Sequence, residues 1–334
     1  MKILYIDNRV YGHNSDLHIK FFQYMEKRKY HSIYAYGEHM PLYFKRSYVP
    51  KRDNVAKDFD KLLKKVRPDI ILTYNCNGSS YEIGLDNVAQ FKWIAPTLSR
   101  VDIPKFHITT DYCRSGFRKE QAKWFEDVNY TAAFFRHKVA LDHPIEVPAF
   151  WLPFSVDRRL YQRNSQINVS RKKPKVGFLG AAHNSSKKLY ANRIAAFDML
   201  EEKDMLVTSA VTNPIKGTRK MYFGEQYVRF WTRNMFGLTC GGTCNFMTAK
   251  YFQIPAAYSM LVCSPTEGLE IFPKDTYITY DRKNIEQLHK DLIWHINNYS
   301  ITKQKIRTLN NYVMLNHNHD IRIKRFTKRI KKLI

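Results

Sequence analysis

Short apolar runs alternate with longer amphipathic segments along the chain, and this alternation is the strongest constraint on its fold. In the first half, Lys2–Asp7 and Asp69–Tyr74 are short apolar runs, and the segment at residues 54–66 between them has helical periodicity. A continuously apolar run is typical of a strand that is buried on both faces in a parallel sheet. Strands that alternate with helices build β-α-β units. The sequence therefore predicts an α/β fold.

The pattern stops and starts again near the middle of the chain, which indicates two domains. Residues 158–174 are polar and basic without an apolar period, as expected of a linker, and a new strand is expected at residues 175–180. A chain of 334 residues also exceeds the usual size of one domain. We expect doubly wound, Rossmann-like domains at residues 1–157 and 175–315. We also expect a basic helix at residues 316–334, which could cross back to the first domain.

The charge of the chain is the outlier of its composition. It has 55 Lys and Arg against 30 Asp and Glu, a formal net charge of +25, and residues 321–334 alone hold seven of the basic residues. Such a charge gives the surface a positive potential that attracts polyanions, such as nucleic acid or an anionic surface. A Lys-rich composition imposed by an AT-rich genome is the alternative, although it does not explain the scarcity of acidic residues.

The cysteines and the apolar runs exclude several classes of protein. The five cysteines lack C-x-x-C spacing, so neither a disulfide framework nor a zinc site is predicted. The N-terminus leads directly into a strand and lacks the plan of a signal peptide. No apolar run approaches the ~20 residues that span a bilayer. We expect a soluble, cytoplasmic protein that requires no metal.

Two glycine-containing loops follow expected strands in the second half. Gly177-x-x-Gly180 ends one strand, and residues 239–245 (TCGGTCN) lie between a strand and the start of a helix. In open α/β sheets, ligands bind beyond the carboxyl ends of the strands, where free N–H groups face anions. Glycine permits close approach of a ligand, and a nest of amides can hold a diphosphate. For the first loop, a tight turn without a ligand is the alternative.

Further motifs around these loops resemble the pattern of one family. Lys250-Tyr-Phe-Gln-Ile-Pro-Ala-Ala257 precedes a strand and Ser264-Pro-Thr-Glu-Gly268 follows it; the remaining matches are Trp151-Leu-Pro-Phe-Ser-Val-Asp157, Arg193, His319 and Arg322. This order resembles the CgeB-like branch of the GT-B glycosyltransferases, found in spore-coat and bacteriophage proteins. The resemblance covers residues 100–326 and is most specific at residues 235–281. It implies two Rossmann-like domains that face a cleft.

The resemblance also implies a nucleotide-sugar donor, with UDP-glucose favoured, in the second domain. Arg193 and Lys250 would neutralise the diphosphate leaving group, in place of a divalent metal. Gln253 stands where the family usually has a carboxylate for the ribose; it can hydrogen-bond a diol but brings no charge. The predicted donor-binding residues are Gly180, Arg193, Gly241, Gly242, Thr243, Lys250, Tyr251, Gln253 and Glu267. For Glu267, which would bind the sugar or the ribose, capping of a helix is the alternative.

Activation of an acceptor hydroxyl needs a base, which we expect at the carboxyl end of a strand in the first domain. Asp111 has that position and matches an acidic residue of the family. His13 with Asp16, on the first loop, is the second candidate. For each of them, a structural role in a turn or cap is the alternative.

Basic and aromatic residues interleave between Lys216 and Arg233. This pattern suits phosphate contact combined with base stacking, and equally a basic helix with an apolar core face. The predicted nucleic-acid-binding residues are Lys216, Arg219, Lys220, Arg229 and Arg233.

The net charge favours an acceptor that is itself a polyanion. The favoured function is transfer of a hexose, with glucose preferred, to a hydroxymethylated pyrimidine in double-stranded bacteriophage DNA, in the host cytoplasm. A glycosyltransferase that acts on a cell-envelope or spore-coat polymer is the first alternative. A GT-B fold that binds nucleic acid without catalysis is the second.

Overall fold

The chain forms two compact units. The computed structural model describes residues 1–7, 16–37, 40, 43–49, 54–74, 94–109, 125, 127–143, 145–164, 172–180, 190–208, 224–242 and 244–334. The first unit comprises Met1–Leu152 and Ile323–Ile334, and the second comprises Pro153–Arg322. The division falls before residue 157, the border expected from the sequence, and the end of the chain belongs to the first unit.

A parallel sheet forms the centre of the first unit. Its strands in the described residues are β1 (Lys2–Asp7), β2 (Ser32–Tyr36), β3 (Ser47–Tyr48), β4 (Ile70–Tyr74), β5 (Lys105–Thr109), β6 (Ala132–Phe135) and β7 (Ala149–Trp151). They lie in the order β3-β2-β1-β4-β5-β6-β7, and all neighbours are parallel. Strands β4, β5 and β6 are buried at every position, as expected of strands in the middle of a parallel sheet.

The second unit contains a smaller parallel sheet. Its described strands are β8 (Lys173–Phe178), β9 (Leu206–Thr208), β10 (Asn234–Thr239), β11 (Met260–Cys263) and β12 (Ile278–Thr279), in the order β12-β11-β10-β8-β9. All neighbouring strands are again parallel. The order changes direction between β8 and β10, as it does between β1 and β4 in the first unit. The predicted α/β class is therefore confirmed.

Helices connect the strands, as the predicted β-α-β units require. The helices with both ends described are α1 (Asp16–Lys27), α2 (Val55–Val66), α3 (Arg158–Asn164), α4 (Ala191–Glu202), α5 (Gly224–Arg233), α6 (Lys250–Ala256), α7 (Ile285–Asn297), α8 (Tyr299–Asn316) and α9 (His319–Ile330), and residues 94–100 are helical as well. In α2, the buried residues Val55, Phe59, Leu62, Leu63 and Val66 recur at helical spacing and form one face. None of these helices combines the length and hydropathy that a membrane span needs.

The segment expected as a linker, residues 158–174, contains regular structure at both ends. Helix α3 occupies its start, with Tyr161 and Asn164 buried, and β8 begins at Lys173. The Nε group of Arg229 in α5 donates a hydrogen bond of 3.2 Å to Asn164 Oδ1. Helix α3 has only seven residues, too few to show a clear apolar period, and a helix this short depends on tertiary contacts for its stability.

The C-terminal helix α9 completes the core of the first unit. Its residues Ile323, Phe326 and Ile330 belong to the same apolar cluster as β1 and α1 and are at most 1% exposed. The Phe326 ring packs edge-on against Phe134 in β6, with 4.9 Å between centroids, and lies 6.4 Å from Phe21 in α1. The last segment of the chain is therefore part of the first unit's fold.

We expect Phe326→Ala to lower the free energy of unfolding by about 3–5 kcal/mol, because it leaves a cavity between α9 and the sheet. Urea unfolding followed by circular dichroism measures this. Leu315→Ala, at a position that is 59% exposed, is the control and should change stability by less than ~0.5 kcal/mol. Equal effects of the two substitutions would contradict the packing of α9.

Candidate functional site

The carboxyl ends of β8 and β10 meet at the point where the strand order of the second sheet changes direction. Strand β8 leads into Leu179 and Gly180, and β10 leads into Cys240 and Gly241. This is the place where open α/β sheets bind their ligands, because the loops on either side diverge there and leave a crevice. Four of the predicted donor-binding residues, Gly180, Arg193, Gly241 and Lys250, lie at this edge.

Lys250 reaches this edge from the first position of α6. Its Nζ group donates a hydrogen bond to the carbonyl oxygen of Leu179 and lies 5.9 Å from the centre of the Phe178 ring. Gly180 has φ = +155°, and a Cβ at that position would lie 3.1 Å from Lys250 Nζ. The backbone conformation therefore favours glycine here, and a Cβ would also require the end of the Lys250 side chain to shift by a few tenths of an ångström.

Arg193 reaches the same edge from the first turn of α4. Its Nε group donates to Cys240 Sγ over 3.2 Å, and the side chain is only 8% exposed. The guanidinium carbon lies 3.8 Å from the centre of the Tyr190 ring and 5.9 Å from that of Phe178. Both cations thus lie beside Phe178, although they come from different helices.

The two cations influence each other electrostatically. The pKa of Lys250 falls to about 7, first because of burial and then because of the positive charge of Arg193, whereas Cys240 acts in the opposite direction. The protonated form of Lys250 is therefore disfavoured, and an anion bound beside it would restore the charge. No cluster of His, Cys, Asp and Glu side chains in the described residues has an arrangement that could hold a metal ion. Two neighbouring cations of this kind favour an anion as the ligand.

The glycine turn after β10 is closely packed. The Gly241 N–H donates to Ser264 Oγ over 3.1 Å, and a Cβ on Gly241 would lie 2.4 Å from the side chain of Thr266. Gly242 has φ = +65°, and its carbonyl oxygen accepts from the Asn245 N–H. The Gly241 amide already has a partner in the protein, so the expected nest does not include it.

Solved structures with the same architecture cover almost the whole chain. An alpha-glucosyltransferase in complex with UDP and a 13-mer DNA is 11% identical, with a TM-score of 0.68 over 99% of both chains. HepE from Anabaena, in complex with UDP and glucose, is 8% identical, with a TM-score of 0.67 over 99% of this chain and 100% of its own. A glycosyltransferase from Rickettsia africae is 9% identical, with a TM-score of 0.65 over 99% of this chain and 98% of its own. No protein-family model and no curated protein matches the sequence.

The chain has the GT-B fold. The GT-B resemblance that the motifs indicated is therefore supported at the level of the fold. The CgeB-like branch stays a prediction, since these likenesses lie at low sequence identity.

Three further residues of the predicted donor site, Tyr251, Gln253 and Glu267, do not share the contacts of Arg193 and Lys250. Tyr251 is fully buried and donates to the carbonyl oxygen of Ser264 over 3.0 Å, so it supports the loop from below and presents no surface to a donor. Gln253 is 7% exposed, and its Oε1 accepts a hydrogen bond of 2.8 Å from Tyr227. Glu267 is exposed beside the glycine turn, and its N–H donates to the Asn245 carbonyl.

The alternative for Glu267 was a role as a helix cap, but at the nearest helix start a different residue, Glu270, accepts the free N–H group. The short 3₁₀ helix Leu269–Ile271 follows this loop, and the Gly268 N–H donates to Glu270 Oε2 over 2.9 Å. The carboxylate of Glu267 is therefore not the group that satisfies this amide.

Several predicted residues lie outside the described part of the chain. They are the donor residue Thr243, the catalytic candidates Asp111 and His13, and the nucleic-acid candidates Lys216, Arg219 and Lys220. Asp16 begins α1, and its side chain is outside the described part as well. These assignments stay predictions.

The described part of the predicted nucleic-acid-binding stretch is the helix α5. Arg229 and Arg233 are exposed, and Arg229 forms an i,i+4 ion pair of 3.1 Å with Glu225. Phe230 and Trp231 are buried, so their rings cannot stack on bases. In this helix the structure therefore agrees with the alternative interpretation, a basic helix with an apolar face that packs in the core.

Two residues of the site were not found from the sequence. Tyr190 and Cys240 hold the Arg193 guanidinium, by ring stacking and by a hydrogen bond respectively. Cys240 lies inside the predicted glycine turn, and this position could have identified it as a residue of the site. Tyr190 stands before α4 in a polar segment, and nothing local distinguishes it from the chain's other tyrosines.

We expect Gly180→Ala to destabilise the protein by about 1–3 kcal/mol, because alanine is strained at this φ and its Cβ meets Lys250 Nζ. Urea unfolding measures the change. Gly224→Ala is the matched control, since Gly224 also has positive φ but a Cβ there would meet nothing within 4 Å. A smaller effect at Gly180 than at Gly224 would contradict the crowding by Lys250.

Proposed function

We propose that the chain is a glycosyltransferase that moves glucose from UDP-glucose to a hydroxyl acceptor. The observation that carries this proposal is the convergence of Arg193 and Lys250 at the point where β8 and β10 end. The proposal is supported by solved structures of the same fold that contain UDP, one of them together with glucose.

The two cations would stabilise the leaving group of the transfer reaction. As the bond between the sugar and the diphosphate breaks, negative charge develops on the diphosphate oxygen. This negative charge opposes the lowering of the Lys250 pKa and so favours the protonated form, which can donate to the diphosphate. Arg193 is held in place by Cys240 and Tyr190 and would act as a fixed donor of hydrogen bonds. The developing charge is thus balanced by side chains.

The favoured acceptor is a hydroxymethylated pyrimidine in duplex DNA. The net charge of +25 supports a polyanionic acceptor, and an alpha-glucosyltransferase with the same fold has been solved with UDP and DNA. Asp111, or His13 with Asp16, is the proposed base for the acceptor hydroxyl. An envelope or coat polymer is the second candidate, because HepE, solved with UDP and glucose, shares the fold to the same degree, so the fold is not specific to enzymes that were solved with DNA.

We expect UDP-glucose binding to weaken as the pH rises from about 6 to about 8.5. Lys250 loses its proton near pH 7 in the free protein, whereas the bound diphosphate raises its pKa, so binding above pH 7 requires proton uptake. The loss of affinity should approach about tenfold per pH unit. The diphosphate of UDP-glucose does not titrate in this range, so the change reports the protein.

Isothermal titration calorimetry of the Lys250→Met variant provides the check. Its affinity should be lower at every pH and should no longer vary with pH. Lys274→Met, at an exposed lysine of the same unit, should behave as the unaltered protein. A pH dependence that survives in Lys250→Met would assign the titration to another group.

Transfer itself is tested with radiolabelled UDP-glucose and three acceptors: hydroxymethylated duplex DNA, unmodified duplex DNA, and envelope polymer. We expect label only on the hydroxymethylated DNA. Lys250→Met and Arg193→Met should each slow transfer by about 10²–10³-fold, because each removes a donor from the leaving group. Label on the polymer alone would select the second candidate, and no transfer or hydrolysis with any nucleotide sugar would overturn the enzyme proposal.

A further inference from the structure

The helix α9 and the residues that follow it carry a row of exposed cations. Lys324, Arg325, Lys328, Arg329, Lys331 and Lys332 are all exposed, and residues 321–334 contain no Asp or Glu. Among the described residues, none of the six forms an ion pair with a carboxylate; Arg329 lies over the Phe150 ring at 4.4 Å. We call these six side chains the α9 basic surface.

The α9 basic surface is held rigidly on the first unit. The opposite face of the helix is buried in the core through Ile323, Phe326 and Ile330. Thr327 Oγ1 lies 2.8 Å from His31 Nε2 and so fixes the helix to the start of β2. A helix anchored in this way presents its cations without the entropic cost of ordering a flexible tail.

The positive potential of this surface reaches neighbouring groups. The pKa of His31 falls to about 4, first because of burial and then because of the N-terminal ammonium and Lys331. Helix polarity alone does not account for the cations, since Lys324 and Arg325 lie in the middle of α9, whereas a helix dipole favours cations only in the last turn. Like charges that repel one another at one surface indicate a binding partner of opposite charge.

We propose that the α9 basic surface docks the phosphate backbone of duplex DNA. Lys324, Lys328 and Lys331 stand three and four residues apart, which is about 4.5–6 Å along the helix axis. Phosphates of one DNA strand follow each other every ~3.4 Å along the duplex axis. The spacing of the cations therefore corresponds to between one and two phosphates. This inference rests on the proposed DNA acceptor, for which it names the surface that positions the duplex.

A membrane is a poorer partner for this helix. Amphipathic helices that bind bilayers insert an apolar face between the lipids. In α9, Ile323, Phe326 and Ile330 are already buried in the core of the first unit. What remains is charge at fixed spacing, which suits phosphate contacts without sequence specificity.

The test compares two variants of the full chain that lose the same charge. One is Lys324→Gln with Lys328→Gln and Lys331→Gln; the control is Lys274→Gln with Lys283→Gln and Lys290→Gln, three exposed lysines of the second unit. Binding of an unmodified fluorescent duplex is measured by anisotropy over a series of KCl concentrations. We expect the α9 variant to bind at least about tenfold more weakly near 0.15 M salt and its log Kd–log salt slope to fall by about 2–3. The control variant should show neither change to this extent.

The other outcomes are decisive as well. Equal loss in both variants, or no binding of DNA by the unaltered protein, would overturn the inference. Loss of binding to phosphatidylserine vesicles in the α9 variant, with DNA binding intact, would assign the surface to a membrane. UDP-glucose binding should stay unchanged in both variants, which shows that they are folded. The binding assay uses unmodified DNA and no sugar donor, so it does not depend on the transfer reaction. If binding depends on α9 but the transfer assay shows no glucose on DNA, the proposed acceptor is wrong and this inference still holds.

Discussion

The candidate site depends on keeping two positive charges together in a place that is partly shielded from water. Burial and Arg193 both oppose protonation of Lys250, and its pKa falls to about 7. The surrounding residues are arranged to tolerate this: Leu179 accepts a hydrogen bond from Lys250, and Cys240 accepts one from Arg193. A diphosphate would relieve the remaining repulsion between the two cations, and this repulsion therefore favours anion binding.

The topology of the second sheet brings the two cations together. Strands β8 and β10 are neighbours, although β9 lies between them in the sequence. In open α/β sheets, a change of direction in the strand order at such a point marks the usual place of a ligand, at the carboxyl edge. Gly180 and Gly241 allow close packing at this edge, the first against Lys250 and the second against Thr266. The same edge could not be built with larger residues at these two positions.

The strands could be predicted from the sequence more reliably than the details of the site. The runs that end at Asp7 and Tyr74 are mainly apolar, and both are strands of the first sheet. Helix α3 was missed because its seven residues carry no apolar period. The burial of Tyr251 could not be predicted, because an aromatic residue beside a loop looks the same in sequence whether its ring faces a ligand or the core. Its full burial is a property of the packing.

By itself, the sequence determined the α/β class, the basic charge, and the positions of the glycine turns, because these follow from local periodicity and from the chemistry of single residues. Only the tertiary structure decided which cations share a site. Arg193 and Cys240 are 47 residues apart, and Lys250 and Leu179 are 71 apart. It also returned α9 to the core of the first unit, where its cations form one surface. Such pairings depend on strand order and on the closure of long loops, and no local pattern in the sequence encodes them.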